Sequence, residues 1–205
     1  FYAPRDAVPL TEPRPSEQTS GAEPDGATRR VQWRTAFLAV SVVAVTILPA
    51  FMTGALAIRI GDDVGIDLAA IGGLYGVLFG TGALASTPTG RLVQRLGWEI
   101  GIRAAAAGTG IALTAMATFS DHLWGLWWPI ASVFVLAGVT AAASQAASNL
   151  ALARSVPPDR YGLVFGLKHS AVPAAAMLGG LAVPTIALTI GWRYAFAIAA
   201  ILAFA

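Results

Sequence analysis

Apolar residues fall in long unbroken runs rather than in the one-sided stripes of a soluble helix. The first run, 35–58, holds no charged residue. At a rise of about 1.5 Å per residue it exceeds the ~30 Å hydrocarbon core of a bilayer. The pattern repeats over 68–90, 101–120, 126–153 and 161–189, and a last run, 193–205, is too short to cross. These runs predict an all-α integral membrane protein with five complete spans and a truncated sixth. Pro49 and Gly54 interrupt the first span. Proline inside a span is tolerated where neighbouring helices or water satisfy the freed backbone, so a kink or a hinge is expected there.

Composition sharpens this picture. The chain has 205 residues, of which 56% are hydrophobic and 12% charged. Soluble domains carry about twice that share of charge. Residues 1–33 are instead rich in Pro, Glu, Ser and Gly without apolar periodicity, and read as a disordered cytoplasmic tail ahead of a bundle at 34–205. No signal peptide is recognisable in that tail. The chain opens on Phe1 and closes at Ala205 inside an apolar run, so it reads as a fragment. A net charge of +2 is too small for a nucleic-acid surface, although the isoelectric point is about 9.4. There is no cysteine for a disulfide or thiolate site. Asp62, Asp63 and Asp67 have neither a histidine nor a further ligand nearby, and read as a solvated loop. No metal, cofactor or catalytic group is expected.

Positive charge orients the spans. Arg29, Arg30, Arg34, Arg91, Arg95, Arg103, Arg154 and Arg160 fall on one side, Arg59 and Arg193 on the other. Positive residues concentrate on the cytoplasmic side, which places the N-terminus inside. Trp124, Trp127 and Trp128 form an interfacial belt at the opposite end, beside His122, read as a solvated loop residue. Gly97-Trp98 and Gly191-Trp192 precede the third and sixth runs, a faint repeat that suggests two inverted units of three helices.

Polar residues inside the runs carry the candidate chemistry. Lys168 lies roughly 12 Å from the cytoplasmic side, Gln145 roughly 13 Å and Asn149 roughly 8 Å, counted along the helix from the nearest arginine. Thr46 lies roughly 18 Å deep, near the midplane. An ionisable group at such depth normally faces a protein interior or a water-filled path. Lys168 thus reads either as the counter-charge for an anionic solute, with Gln145 and Asn149 as hydrogen-bond donors, or as a side chain snorkelling to the headgroups. His169 sits about 100° round the helix and reads as a proton carrier or as a partner of a neighbouring helix. Gly72, Gly76 and Gly80 form a small-residue ridge that invites close helix packing, with Tyr75 beside it as a further pathway candidate.

The stretch from Gly90 to Arg103, GRLVQRLGWEIGIR, resembles the signature loop of the major facilitator superfamily. Gly90, Leu92, Arg95 and Gly97 match in spacing. Gln94 stands where the family has an Asp that helps latch the cytoplasmic gate, and Glu99 is the nearest carboxylate. The run from Ser148 to Phe196 is similar to the branch containing cyanate and nitroimidazole-related carriers. The resemblance implies twelve spans in two six-helix halves, each built from two inverted three-helix repeats, with the site between halves. This chain would be the N-terminal half, its partners the lipid bilayer, the missing C-terminal half, a small polar, anionic solute and a coupling proton or ion. It would then be a secondary active transporter of the bacterial inner membrane working by alternating access. The rival readings are a non-transporting scaffold or receptor bundle, and a membrane-embedded enzyme, for which the spans lack carboxylates and a nucleophile–base set.

Overall fold

The computed structural model describes residues 26–119 and 127–205. The sequence readings at His122 and Trp124, and most of the tail, fall outside these residues. Helices α1 (Gly26–Ala55), α2 (Ala57–Val64), α3 (Leu68–Leu96), α4 (Trp98–Thr118) and α5 (Trp127–Ser155) follow in order. A 3₁₀ turn (Pro158–Arg160) leads into α6 (Tyr161–Ala182), a π turn (Val183–Ala187) and α7 (Trp192–Phe204). Among the described residues, five helical stretches are long and apolar enough to cross a membrane: Arg30–Ala55, Leu68–Leu96, Trp98–Thr118, Trp127–Ser155 and Pro158–Ala187. Trp192–Phe204 is a shorter apolar helix.

Four boundaries differ from the sequence reading, each for a local reason. Helix α1 begins at Gly26, inside the stretch assigned to the tail. The segment from Ala27 to Trp33 holds no proline, and a helix nucleated by the apolar run extends back through it at little cost. The acidic loop is largely helical: Asp62 and Asp63 lie in α2, which stops at Gly65 in the left-handed region (φ 74°). The arginine-rich connection is no open loop either. Gly90, Leu92, Gln94 and Arg95 belong to α3, and Gly97 alone (φ 93°, ψ 155°) separates it from α4. That backbone conformation is essentially restricted to glycine. Finally, Pro184 cannot donate to the helical ladder of the fifth span. The ladder there widens, and the Leu188 amide reaches back to the Val183 carbonyl at 3.0 Å.

Helix α5 is the centre of the packing, with α3, α4 and α1 against it, while α6 lies on α1 and α7 on α4. The close approach of α3 and α5 runs through Gly82 and Gly138. A Cβ on Gly138 would sit 2.4 Å from the Leu78 carbonyl oxygen. The Gly72, Gly76 and Gly80 ridge does not make this contact; a Cβ at any of the three would meet nothing within 4 Å. Those glycines lie off the buried line of Ile71, Leu74, Leu78 and Ala85, so spacing identified a small-residue face but not its partner. Gly138→Ala is therefore expected to cost about 1–3 kcal/mol through overpacking against backbone. A lowered melting midpoint in detergent checks it; an unchanged one refutes the contact.

Two hydroxyl pairs bind α5 further. Thr46 Oγ1 and Ser144 Oγ are 2.8 Å apart across α1 and α5, and Thr109 donates to Thr140 at 3.0 Å across α4 and α5. In a span, a hydroxyl satisfied across helices adds cohesion where the hydrophobic effect does not discriminate between protein and lipid. At the end opposite the Gly97 joint, Trp192 Nε1 donates to Asp63 Oδ2 at 2.7 Å, and Arg193 donates to the Phe119 carbonyl. The Arg193 guanidinium also lies over the Trp192 ring, 4.8 Å from its centroid.

Candidate functional site

Helix α6 presents Val164, Lys168, Ala171, Ala175 and Gly179 on its buried face. This line repeats at helical spacing and consists of small or apolar residues except for Lys168. The lysine is 2% exposed, so its ammonium ends inside the protein rather than at the surface. Nζ donates to Asn149 Oδ1 at 2.6 Å. Among the described residues, the ion pair is Arg160 with Asp159, and no carboxylate pairs with Lys168. A buried cation held by one neutral amide lacks the counter-charge that usually accompanies it.

Asn149 also opens onto a cavity of about 470 Å³ between α1, α3 and α5. Ile47, Leu78, Phe79, Ser86 and Gln145 are among its other lining residues. Gln145 and Asn149 are one helical turn apart on α5 and both are exposed. Most of the wall is apolar, with a few polar groups on the α5 side. Such a surface suits a small solute whose polar part is recognised at one end.

Lys168, Asn149 and Gln145 are thus brought to one region of the fold. Thr46, Tyr75 and His169 are not. The Thr46 hydroxyl is 1% exposed and donates to the carbonyls of Val42 (2.9 Å) and Val43 (3.2 Å) besides meeting Ser144. It is a tether within the bundle, and its neighbour Ile47 faces the cavity instead. The Tyr75 hydroxyl donates to the Ala50 carbonyl of α1 at 2.5 Å. His169 is exposed on a different side of α6 from Lys168, and among the described residues its ring has no hydrogen-bond partner. Of the residues that the resemblance assigns to a cytoplasmic gate, Gly90, Leu92, Gln94 and Arg95 occupy the end of α3, and Gly97 is the joint. Glu99 opens α4, where a carboxylate favours the helix N-terminus, and it makes no ion pair with a described residue.

The sequence reading missed the Asp63–Trp192 bond and the placement of Tyr75 against α1. The first joins residues 129 positions apart, and no local pattern foretells it. For the second, Gly54 was the available signal: a glycine inside a span, a turn or more beyond Pro49, where a side chain from elsewhere needs room. Among the described residues, no cluster of His, Asp and Glu could hold a metal.

Apolar spans packed round a largely apolar cavity with polar groups on one wall, and a basic side chain buried beside it, describe a multi-pass membrane protein that handles solutes. A family model described as Major Facilitator Superfamily matches residues 38–205, and the chain belongs to that family of membrane transporters. No curated protein and no solved structure gives a match. The finer likeness to cyanate and nitroimidazole-related carriers therefore has no match behind it.

Proposed function

We propose that the protein is a secondary active transporter that moves a small polar anion by alternating access, with Lys168 as the solute's counter-charge. The observation that carries this reading is the buried ammonium, bonded to Asn149 beside the cavity and paired with no carboxylate among the described residues. An anion entering the cavity would supply the missing charge, and charge-assisted bonds of this kind are the strong ones. Gln145 and the Asn149 amide would donate to the rest of the solute. Thr46 and Tyr75 act on the fold instead, and His169 remains the candidate proton carrier, on the outer side of α6.

The resemblance supplies the rest of the proposal. The chain forms the N-terminal six-helix half of inverted repeats, with the N-terminus on the cytoplasmic side of an inner membrane. A second half closes the cavity, and a proton or ion drives the cycle. The test is uptake into proteoliposomes of the full-length protein, with panels of small anions, cations and neutral solutes. Saturable uptake of an anion is expected. Saturable uptake confined to cations or neutral solutes would refute the anion assignment, and none of any class would favour the scaffold reading.

A further inference from the structure

Away from Lys168, a second constellation surrounds the C-terminal turns of α1. Pro49 has no N–H, so the Val45 carbonyl loses its usual donor one turn on. A turn further on, two consecutive carbonyls accept side chains: Thr53 donates to Pro49 at 2.7 Å, and Tyr75, from α3, donates to Ala50 at 2.5 Å. In a regular helix the Ala50 carbonyl belongs to the amide of residue 54. Here the Tyr75 hydroxyl reaches that same carbonyl from the neighbouring helix. Space for it exists because residue 54 is glycine. A Cβ there would lie 2.1 Å from the phenol oxygen and 3.2 Å from Cζ. The helix then stops at Ala55, Leu56 leaves helical geometry (φ −96°, ψ 5°), and α2 resumes at Ala57. Beyond, α2 is held at its far end by Asp63 on Trp192.

Between Pro49 and Leu56 the backbone ladder is thus short of a donor and lent hydroxyls from its own and a neighbouring helix. Kinks occur where proline removes a bond or a side chain inserts into the ladder, and both occur here within two turns. We propose that residues 49–56 are a hinge in α1 and that Tyr75 is its latch: a positioning residue that fixes the α1–α2 corner against α3 and lets go of it during the transport cycle. The inference rests on the transporter reading for its purpose, not for its geometry. It assigns Tyr75 to the motion of the carrier rather than to contact with the solute.

The latch predicts a specific coupling. Tyr75→Phe keeps the ring and loses the bond to the Ala50 carbonyl. Gly54→Ala drives the phenol out and loosens the same corner. Combined, they should be little worse than Tyr75→Phe alone, because the oxygen 2.1 Å from the new methyl is gone and only the 3.2 Å approach to Cζ remains. A single neutral hydrogen bond corresponds to about a two- to tenfold change in a conformational ratio.

These 205 residues hold no cysteine, so spin labels can be placed at Ile58→Cys on α2 and Leu84→Cys on α3, both exposed positions, in the full-length protein in nanodiscs with any cysteine outside this stretch replaced by serine. Pulsed EPR is expected to give one dominant distance with Tyr75, and a second or broadened population in Tyr75→Phe and in Gly54→Ala. Uptake by Tyr75→Phe should change in maximal rate, with the half-saturating concentration held within about twofold. Unchanged distance distributions in both variants would overturn the hinge, whatever happens to transport. A raised half-saturating concentration with an unchanged distribution would return Tyr75 to the solute path. A shifted distribution in a protein that transports nothing would keep the hinge and sink the transporter reading.

Discussion

Lys168→Met is expected to abolish the proposed anion uptake while the protein still inserts and melts near its normal temperature. Methionine matches the length of the lysine stem and fills the same space among Val164, Ala171 and α1 without a charge. Replacing a buried charge by an apolar side chain of similar volume is often neutral for stability, and the one partner left behind, Asn149, is exposed to the cavity. Binding is another matter. Removing one partner of a desolvated charge pair typically costs about 2–5 kcal/mol, or roughly thirtyfold to several thousandfold in affinity. Uptake and equilibrium binding of the anion in proteoliposomes measure the loss. Normal uptake by Lys168→Met would end the assignment of this residue, even with the family membership intact.

Asn149→Asp is the sharper companion, because it blocks the same ammonium without removing it. The Asn149 oxygen already lies 2.6 Å from Nζ, so a carboxylate there needs no rearrangement to form an internal ion pair. The lysine would then carry its own counter-ion, and a solute anion would meet a neutralised pair and a like charge beside it. Uptake should fall by at least about tenfold, with thermal stability maintained or raised, since a fixed charge now compensates the buried cation. The double variant Lys168→Met/Asn149→Asp should be the least stable of the set, with a carboxylate left unpaired. If Asn149→Asp transports as well as the parent, the solute does not meet Lys168 at this position.

Much of the helical framework was legible because a bilayer imposes length and apolarity on anything that crosses it. Residues 68–90 and 126–153 declared their spans by the absence of charge alone, and Lys168 announced itself by the same criterion, as the exception. Depth counted from flanking arginines placed Asn149 and Gln145 in its neighbourhood. What hydropathy does not encode is rotation. Lipid-facing and protein-facing sides of a span are both apolar, so nothing along α3 distinguished Gly82, which meets α5, from Gly76, which meets nothing described. The same limit hid Thr46, whose depth matched the cavity but whose azimuth carries it to Ser144. Helix ends were hidden for another reason. A single glycine at position 97 turns the chain where the arginines around it suggested a longer loop, and Gly65 does the same after α2.

That glycine has a mechanical implication for the gate stretch. With one residue between α3 and α4, the two helices share an elbow with no slack, and Arg91, Arg95 and Arg103 ride on rigid rods rather than on a pliable strap. A displacement of the C-terminal end of α3 is carried to the start of α4, and the Thr109–Thr140 bond ties α4 to α5. The basic side chains at this membrane face would therefore swing as a single bracket.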